Sequence, residues 1–184
     1  MAESGAESGT ESGADPVRVY VPATLAMLQR LVADGQLFPV SGTAFAVTPA
    51  LRESYAEGDD EELAEVALRD AALGSLRLLA VDHEDPALPP RRAVLVADVA
   101  ADAVKQRPDL DDAVVRLSAP VAVDDLVAVY VDIAAAEADV RTAIAVIDEA
   151  DLGDEDAELA VGDAQDHDLA WYATQELPFL LDLL

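Results

Sequence analysis

The side chains that could do chemistry in this chain are carboxylates. Asp98 and Asp132 each stand at the end of an apolar run that is typical of a strand, at residues 93–97 and 126–131. Open α/β sheets bind ligands beyond strand ends, so the two carboxyls would share a site if these strands are parallel neighbours. They could then bind Mg²⁺ or act as a general acid and base. The alternative is that each aspartate caps the turn after its strand.

A second pair, Asp124 and Asp125, directly precedes the run at 126–131. Adjacent aspartates can ligate Ca²⁺ or Mg²⁺, which makes the pair a metal candidate. The spaced aspartates and glycine of a calcium-binding loop are missing, and a solvated turn is the alternative. The sequence therefore predicts no cofactor, and no motif supports Mg²⁺ or Ca²⁺ binding.

Other kinds of catalysis have little support. The chain has no cysteine, which excludes thiol nucleophiles, disulfides and zinc–thiolate sites. Its two histidines, His83 and His167, lie among acidic residues that favour the imidazolium form, a poor general base. Neither a glycine-rich phosphate loop nor a nucleophile elbow is present. These observations favour a protein that is not an enzyme.

Aromatic residues are scarce, yet several lie close to the C-terminus. Trp171, the only tryptophan, is followed by Tyr172 and then by Phe179 in an apolar run. Tryptophan and tyrosine are favoured at the centres of protein interfaces, so this segment is a candidate interaction surface. The alternative is a latch that closes the hydrophobic core.

The charge of the chain limits its partners. Asp and Glu number 38 against 11 Lys and Arg, and the formal net charge is −27. Such a chain repels phosphate backbones and anionic lipids, so we expect neither nucleic acid nor a membrane as a partner. A protein partner or a homodimer remains open. No secretory signal is visible, which favours a soluble cytoplasmic protein.

Helix and strand signals alternate along the chain. Val17, Val19 and Val21 predict a strand, Thr24 and Gly35 bracket a helix, and Thr48 precedes a second helix that starts at Pro49. Further helices are predicted after Asp59, where Glu62 completes a capping box, and after Asp132. The two apolar runs predict central strands, and residues 113–117 predict a weaker one.

These elements predict an α+β or α/β fold with a mixed sheet of four or five strands and three or four helices. One arrangement of that kind is ferredoxin-like with helical additions. Residues 1–15 repeat Glu-Ser-Gly and predict a disordered acidic tail. Residues 16–184 predict a single globular domain, interrupted by a partly mobile acidic linker around 148–168.

Three segments resemble a family of uncharacterised proteins from high-GC actinobacteria. They are VRVYVPAT at 17–24, VAVYVD at 127–132 and LAWYATQE at 169–176, and the resemblance covers residues 17–182. Because that family has no known function, the resemblance implies no activity, cofactor or site residue. It favours GC-rich coding bias over salt adaptation as the origin of the acidic composition.

Three functions therefore remain. The first is a non-enzymatic binding or protein-interaction domain that uses the segment from Trp171 to Phe179. The second is a small carboxylate-dependent enzyme that uses Asp98 and Asp132. The third is an acidic decoy for the basic surface of a nucleic-acid-binding protein, for which the net charge is suited.

Overall fold

The computed structural model describes residues 13–81 and 85–184, which form strands and helices in alternating order. The strands are β1 (Val17–Ala23), β2 (Gln36–Leu37), β3 (Thr43–Phe45), β4 (Ala93–Val99), β5 (Val104–Gln106), β6 (Val114–Leu117), β7 (Val121–Ala122), β8 (Leu126–Val131) and β9 (Ala170–Tyr172). The helices are α1 (Leu25–Asp34), α2 (Pro49–Ser54), α3 (Asp60–Val81), α4 (Glu137–Asp151), α5 (Glu155–Gln165) and α6 (Leu177–Asp182).

Seven of the strands form one antiparallel sheet in the order β5-β6-β3-β1-β4-β8-β9, and β2 pairs with β7 separately. The α+β class is confirmed. The predicted mixed sheet of four or five strands and the count of three or four helices are wrong. The additional strands have only two or three residues each, too short to produce a clear alternation in the sequence.

Helices cover both faces of this sheet, which explains the continuous apolar runs of β4 and β8. Side chains alternate between faces along a strand, so Val19 and Tyr20 of β1 point to opposite sides. Val19 lies in a core with α1 and α6, whereas Tyr20 packs with α3 residues such as Ala67. The helical hairpin α4–α5 packs on the outer side of α3, around Leu76.

The acidic segment around 148–168 is helical rather than a linker. It comprises the end of α4, a turn at Gly153 and α5. Asp154 caps α5 by accepting a hydrogen bond from the Ala157 amide, and Ala164 is fully buried against α3 and α4. The carboxylates of the first turn of α5 face solvent, where they interact favourably with the positive end of the helix dipole.

The N-terminal tail lies mostly outside the described residues, which begin at Gly13. Its predicted disorder therefore remains a prediction. The C-terminus is held by Leu177 and Leu180 of α6, which are buried in the core beneath α1. Among residues 13–81 and 85–184, no helix combines the length and apolarity needed to span a bilayer.

Candidate functional site

Asp98 and Asp132 lie at opposite ends of two neighbouring strands. Strands β4 and β8 are adjacent but antiparallel, with Ala93 opposite Val131. Asp132 therefore lies beside the start of β4, while Asp98 lies close to its end. Six residues of extended chain separate the two ends by roughly 20 Å. The shared carboxylate site would need parallel strands, and this arrangement does not bring the two carboxyls together.

Asp98 belongs to an exposed ion pair across β1 and β4. Its two carboxylate oxygens accept hydrogen bonds from Nε and Nη2 of Arg18, each at 3.0 Å. The side chains are 53% and 37% exposed for Arg18 and Asp98 respectively. Water therefore competes for both partners, and the pair contributes little to stability.

Asp132, in contrast, forms a fully buried ion pair with Arg92, the residue that precedes β4. Nε of Arg92 donates to Oδ2 of Asp132 at 2.8 Å, and Nη2 donates to Oδ1 at 2.7 Å. The Arg92 amide also donates to Oδ2, at 2.9 Å. The side chains are 1% and 0% exposed. Both oxygens of Asp132 are therefore occupied, which leaves the carboxylate poorly placed to act as a base or a metal ligand.

The remaining donors of Arg92 fix the chain that leads into β9. Nη1 donates to Oε1 of Gln165 at 2.8 Å, and Nη2 donates to the carbonyl oxygen of His167 at 2.8 Å. His167 in turn hydrogen-bonds through Nε2 to Oδ2 of Asp139 on α4, at 2.7 Å. Arg92 thus ties the end of α5 and the start of β9 to the sheet.

Sequence reasoning missed Arg92. The positions of the two residues in the sequence give a signal for it. In an antiparallel pair of strands, the residue that precedes one strand lies opposite the residue that follows its partner strand. Asp132 stands at the end of a predicted strand, and a hairpin-like pairing of β4 and β8 places Arg92 next to it. An arginine opposite a buried aspartate is the usual way to compensate such a charge.

The other predicted metal candidates lie apart from this cluster. Asp124 and Asp125 form an exposed turn before β8. Across residues 13–81 and 85–184, no group of three or more histidine, aspartate and glutamate side chains could hold a metal ion. His83 lies outside the described residues.

The aromatic residues of the C-terminal segment divide between core and surface. Tyr172 packs against the core beneath α1 and α6. Trp171 is 57% exposed in the middle of β9, and Phe179 is 72% exposed on α6. The buried residues that close the core here are Leu177 and Leu180, so exposed Trp171 is available for other contacts.

A cavity of about 310 Å³ lies beside β9. Its walls come from α3, including Glu65 and Leu68, and from the segment before β9, including Asp168 and Leu169. Leu169 and Trp171 are two residues apart on an extended segment, so both side chains lie on the α3 side of the sheet. The cavity and the exposed tryptophan are therefore neighbours on one face.

One carboxyl outside this cavity has a strongly perturbed pKa. Burial raises the pKa of Asp70, on α3, to about 6, and the Asp111 carboxylate adds to the shift. In the folded state Asp70 therefore binds its proton more tightly than in the unfolded chain, where its ordinary pKa is 3.8. The cost of ionised Asp70 to the free energy of unfolding is therefore absent below about pH 4, grows between about pH 4 and pH 6, and is complete above about pH 6.

We expect Asp70→Asn to stabilise the protein by about 1 kcal/mol at pH 7, after allowance for the partial solvent exposure of this carboxyl. Urea denaturation of both proteins from pH 4 to pH 8 measures the difference. The gain should shrink as the pH falls through 6 and vanish near pH 4. A gain that stays constant with pH would show that ionisation of Asp70 is not its cause.

A comparison with known families matches most of the chain. The family described as a family of unknown function, DUF6912, matches residues 17–181. No curated protein and no solved structure matches the chain. The predicted resemblance to a family of unknown function is confirmed, and its actinobacterial origin stays a prediction.

Proposed function

This chain belongs to the family of unknown function DUF6912, and we propose that it acts as a protein-interaction domain that binds an extended segment of another protein along β9. The observation that supports this proposal is Trp171, which lies 57% exposed in the middle of the last strand of the sheet. An edge strand leaves alternate backbone N–H and C=O groups unpaired. A partner strand can pair with those groups.

The opposite edge of the sheet provides a contrast. Strand β5 carries Lys105, the only lysine in the chain, and its side chain is exposed. A lysine on an edge strand is a common means of preventing unwanted strand pairing. Strand β9 has no charged residue and carries tryptophan, the residue type most enriched at the energetic centres of interfaces. Strand β5 therefore has the features of an edge that is protected against pairing, and β9 has the features of an edge that can bind another strand.

We keep Trp171 as the contact residue and treat Phe179 as a separate candidate on α6, because the Tyr172 side chain packs against the core. The enzyme hypothesis loses its geometric premise, because Asp98 and Asp132 do not meet. The decoy hypothesis stays a prediction, since it depends on a spacing of carboxylates that matches a nucleic acid.

Selection from a random peptide display library tests the proposed function. We expect selected peptides to bind the wild-type protein, to slow hydrogen exchange of amides in Ala170–Tyr172, and to bind Trp171→Ala about tenfold or more weakly. The matched control is Phe38→Ala, which removes an aromatic side chain that is 51% exposed near the other end of the sheet.

Two results would contradict the proposal. One is a set of selected peptides that bind Trp171→Ala as tightly as the wild type. The other is binding that leaves the β9 amides unprotected. A smaller loss in Phe179→Ala would add α6 to the contact surface, and no loss would remove it.

A further inference from the structure

The positive groups around the cavity beside β9 are already matched by carboxylates. Arg92 is bound by Asp132, and Arg69 pairs with Asp166 at 3.7 Å. Two acidic residues line the cavity, Glu65 and Asp168, and neither has an ion-pair partner within the described part of the chain. Both residues are exposed. The cavity therefore has an uncompensated negative charge.

The size of the cavity limits what could enter. Its volume of about 310 Å³ is at the lower end of the range of small-molecule sites, which is roughly 300–1,000 Å³. A single long side chain suits this space better than a nucleotide or a prosthetic group. The wall also contains Leu68 and Leu169, which offer apolar contact to the methylene stem of such a side chain.

Strand addition to β9 would place side chains at this cavity. An added strand continues the alternation of the sheet, so every second side chain lies on the face of Leu169 and Trp171. The face of an exposed indole attracts guanidinium and ammonium groups. A cation beside Trp171 and a second at the cavity would both meet favourable surroundings.

We propose that the segment bound at β9 is basic, with one arginine or lysine side chain entering the cavity between Glu65 and Asp168 and a neighbouring one stacking on Trp171. This inference rests on the proposed function, because it requires strand addition at β9. It also follows the overall charge of −27, which attracts a basic partner and repels a second copy of this chain.

The test is a fluorescence titration, since Trp171 is the only tryptophan and reports on β9 directly. The probes are three short capped peptides: alternating Arg and Thr, alternating Gln and Thr, and alternating Arg and Thr with every backbone amide N-methylated. The first is basic and can pair as a strand, and the second is neutral and can pair. The third has the same side chains and charge as the first, but its backbone has no amide donors.

We expect the Arg–Thr peptide to change the Trp171 emission and to bind at least tenfold more tightly than either of the others. Glu65→Gln/Asp168→Asn should lose about tenfold in affinity for this peptide. The matched control, Glu53→Gln/Asp34→Asn, removes the same number of charges from exposed positions on α2 and α1 and should bind normally.

The alternative results are distinguishable. Equal binding of the Gln–Thr and Arg–Thr peptides would overturn the basic partner and leave the proposed function standing. Equal binding of the N-methylated and unmodified Arg–Thr peptides would overturn both, because strand pairing would then contribute nothing. Equal losses in the two double variants would overturn the cavity as the binding site. Sedimentation that shows a stable dimer with protected β9 amides would assign this edge to a second copy and overturn the inference.

Discussion

Asp132→Asn is expected to destabilise the protein by about 3–5 kcal/mol, because it leaves the Arg92 guanidinium buried without its counter-charge. The pair is 1% and 0% exposed, so water cannot take the place of the lost carboxylate oxygen. Domains of this size have unfolding free energies of about 5–15 kcal/mol, so the loss is a large fraction of the total. Urea denaturation measures it as a lower midpoint with an unchanged slope.

The chain contains its own control for this experiment. Asp98 and Arg18 form a bidentate pair with nearly the same hydrogen-bond pattern, but both side chains are substantially exposed. Asp98→Asn should therefore cost no more than about 1 kcal/mol. Both substitutions replace one carboxylate oxygen with an amide NH2 group in an arginine–carboxylate pair. Asp132 also accepts a hydrogen bond from the Arg92 amide, so the difference measures burial together with that one additional hydrogen bond.

A double-mutant cycle separates the ion pair from packing. Arg92→Met should destabilise the protein to a similar degree, since it leaves the Asp132 carboxylate without its partner. The double variant Arg92→Met/Asp132→Asn should lose much less than the sum of the two single losses. Additive losses, or a cost of Asp132→Asn as small as that of Asp98→Asn, would refute the assignment of Arg92 and Asp132 as a coupled buried pair.

This prediction also bears on the functional hypotheses. Asp132 has a positioning role. It holds the start of β4 directly, and through Arg92 it holds the segment that leads into β9. Its loss should loosen the segment at Gln165–Asp168 and with it one wall of the cavity beside β9. We therefore expect Asp132→Asn to weaken peptide binding at β9 without Asp132 touching the peptide.

Local signals in the sequence predict the ends of several elements correctly. The Thr24 hydroxyl accepts a hydrogen bond from the Met27 amide at the start of α1, and Gly35 ends the helix with a φ of +77°. Asp59 and Glu62 form the predicted reciprocal capping box at the start of α3. These features depend on residues three or four apart, so the chemistry that decides them is visible in the sequence.

Long-range pairing is where the sequence is insufficient. The partner of Asp132 is Arg92, forty positions earlier, and only the antiparallel direction of β4 and β8 brings them together. An apolar run shows that a strand is buried on both faces, but it does not show the direction of its neighbour. The predicted site at Asp98 and Asp132 depended on that direction. The candidate surface at Trp171 depended on local composition alone.

The acidic helix α5 illustrates a different difficulty. Its sequence has many carboxylates and few large apolar residues, which resembles a solvated linker. The buried face consists mainly of alanines, such as Ala157 and Ala164, which give a weak amphipathic pattern. Alanine nevertheless has the highest helix propensity and permits close approach of α5 to α4. A search for helices that uses only the periodicity of large apolar residues therefore misses helices whose buried face consists of alanines.

Helix α3 packs closely against the sheet at Gly74. We therefore expect Gly→Ala to change the stability of the protein in opposite directions at Gly74 and at Gly162. Gly74 lies where α3 passes over β1, and a Cβ atom there would be 2.8 Å from Cγ of Pro22. The proline ring is rigid and belongs to a central strand, so the helix would have to move away. Gly162 lies within α5, where an added Cβ has no atom within 4 Å.

Gly74→Ala should therefore destabilise the protein by up to about 2 kcal/mol, because an overpacking cost of about 1–3 kcal/mol outweighs the gain in helix propensity of about 1 kcal/mol. Gly162→Ala should keep that gain and stabilise the protein by up to about 1 kcal/mol. Urea denaturation of both variants measures the two changes. Equal changes of the same sign would contradict the close contact between Gly74 and Pro22.

The contact between Gly74 and Pro22 should also affect peptide binding at β9. Helix α3 provides Glu65 and Leu68 to the wall of the cavity beside β9, and Gly74 determines how near the helix lies to the sheet. Gly74→Ala should therefore weaken binding of the Arg–Thr peptide, whereas Gly162→Ala should leave it unchanged. Normal peptide affinity in a destabilised Gly74→Ala protein would show that the position of α3 is not critical for the cavity, and that β9 and Trp171 bind the peptide by themselves.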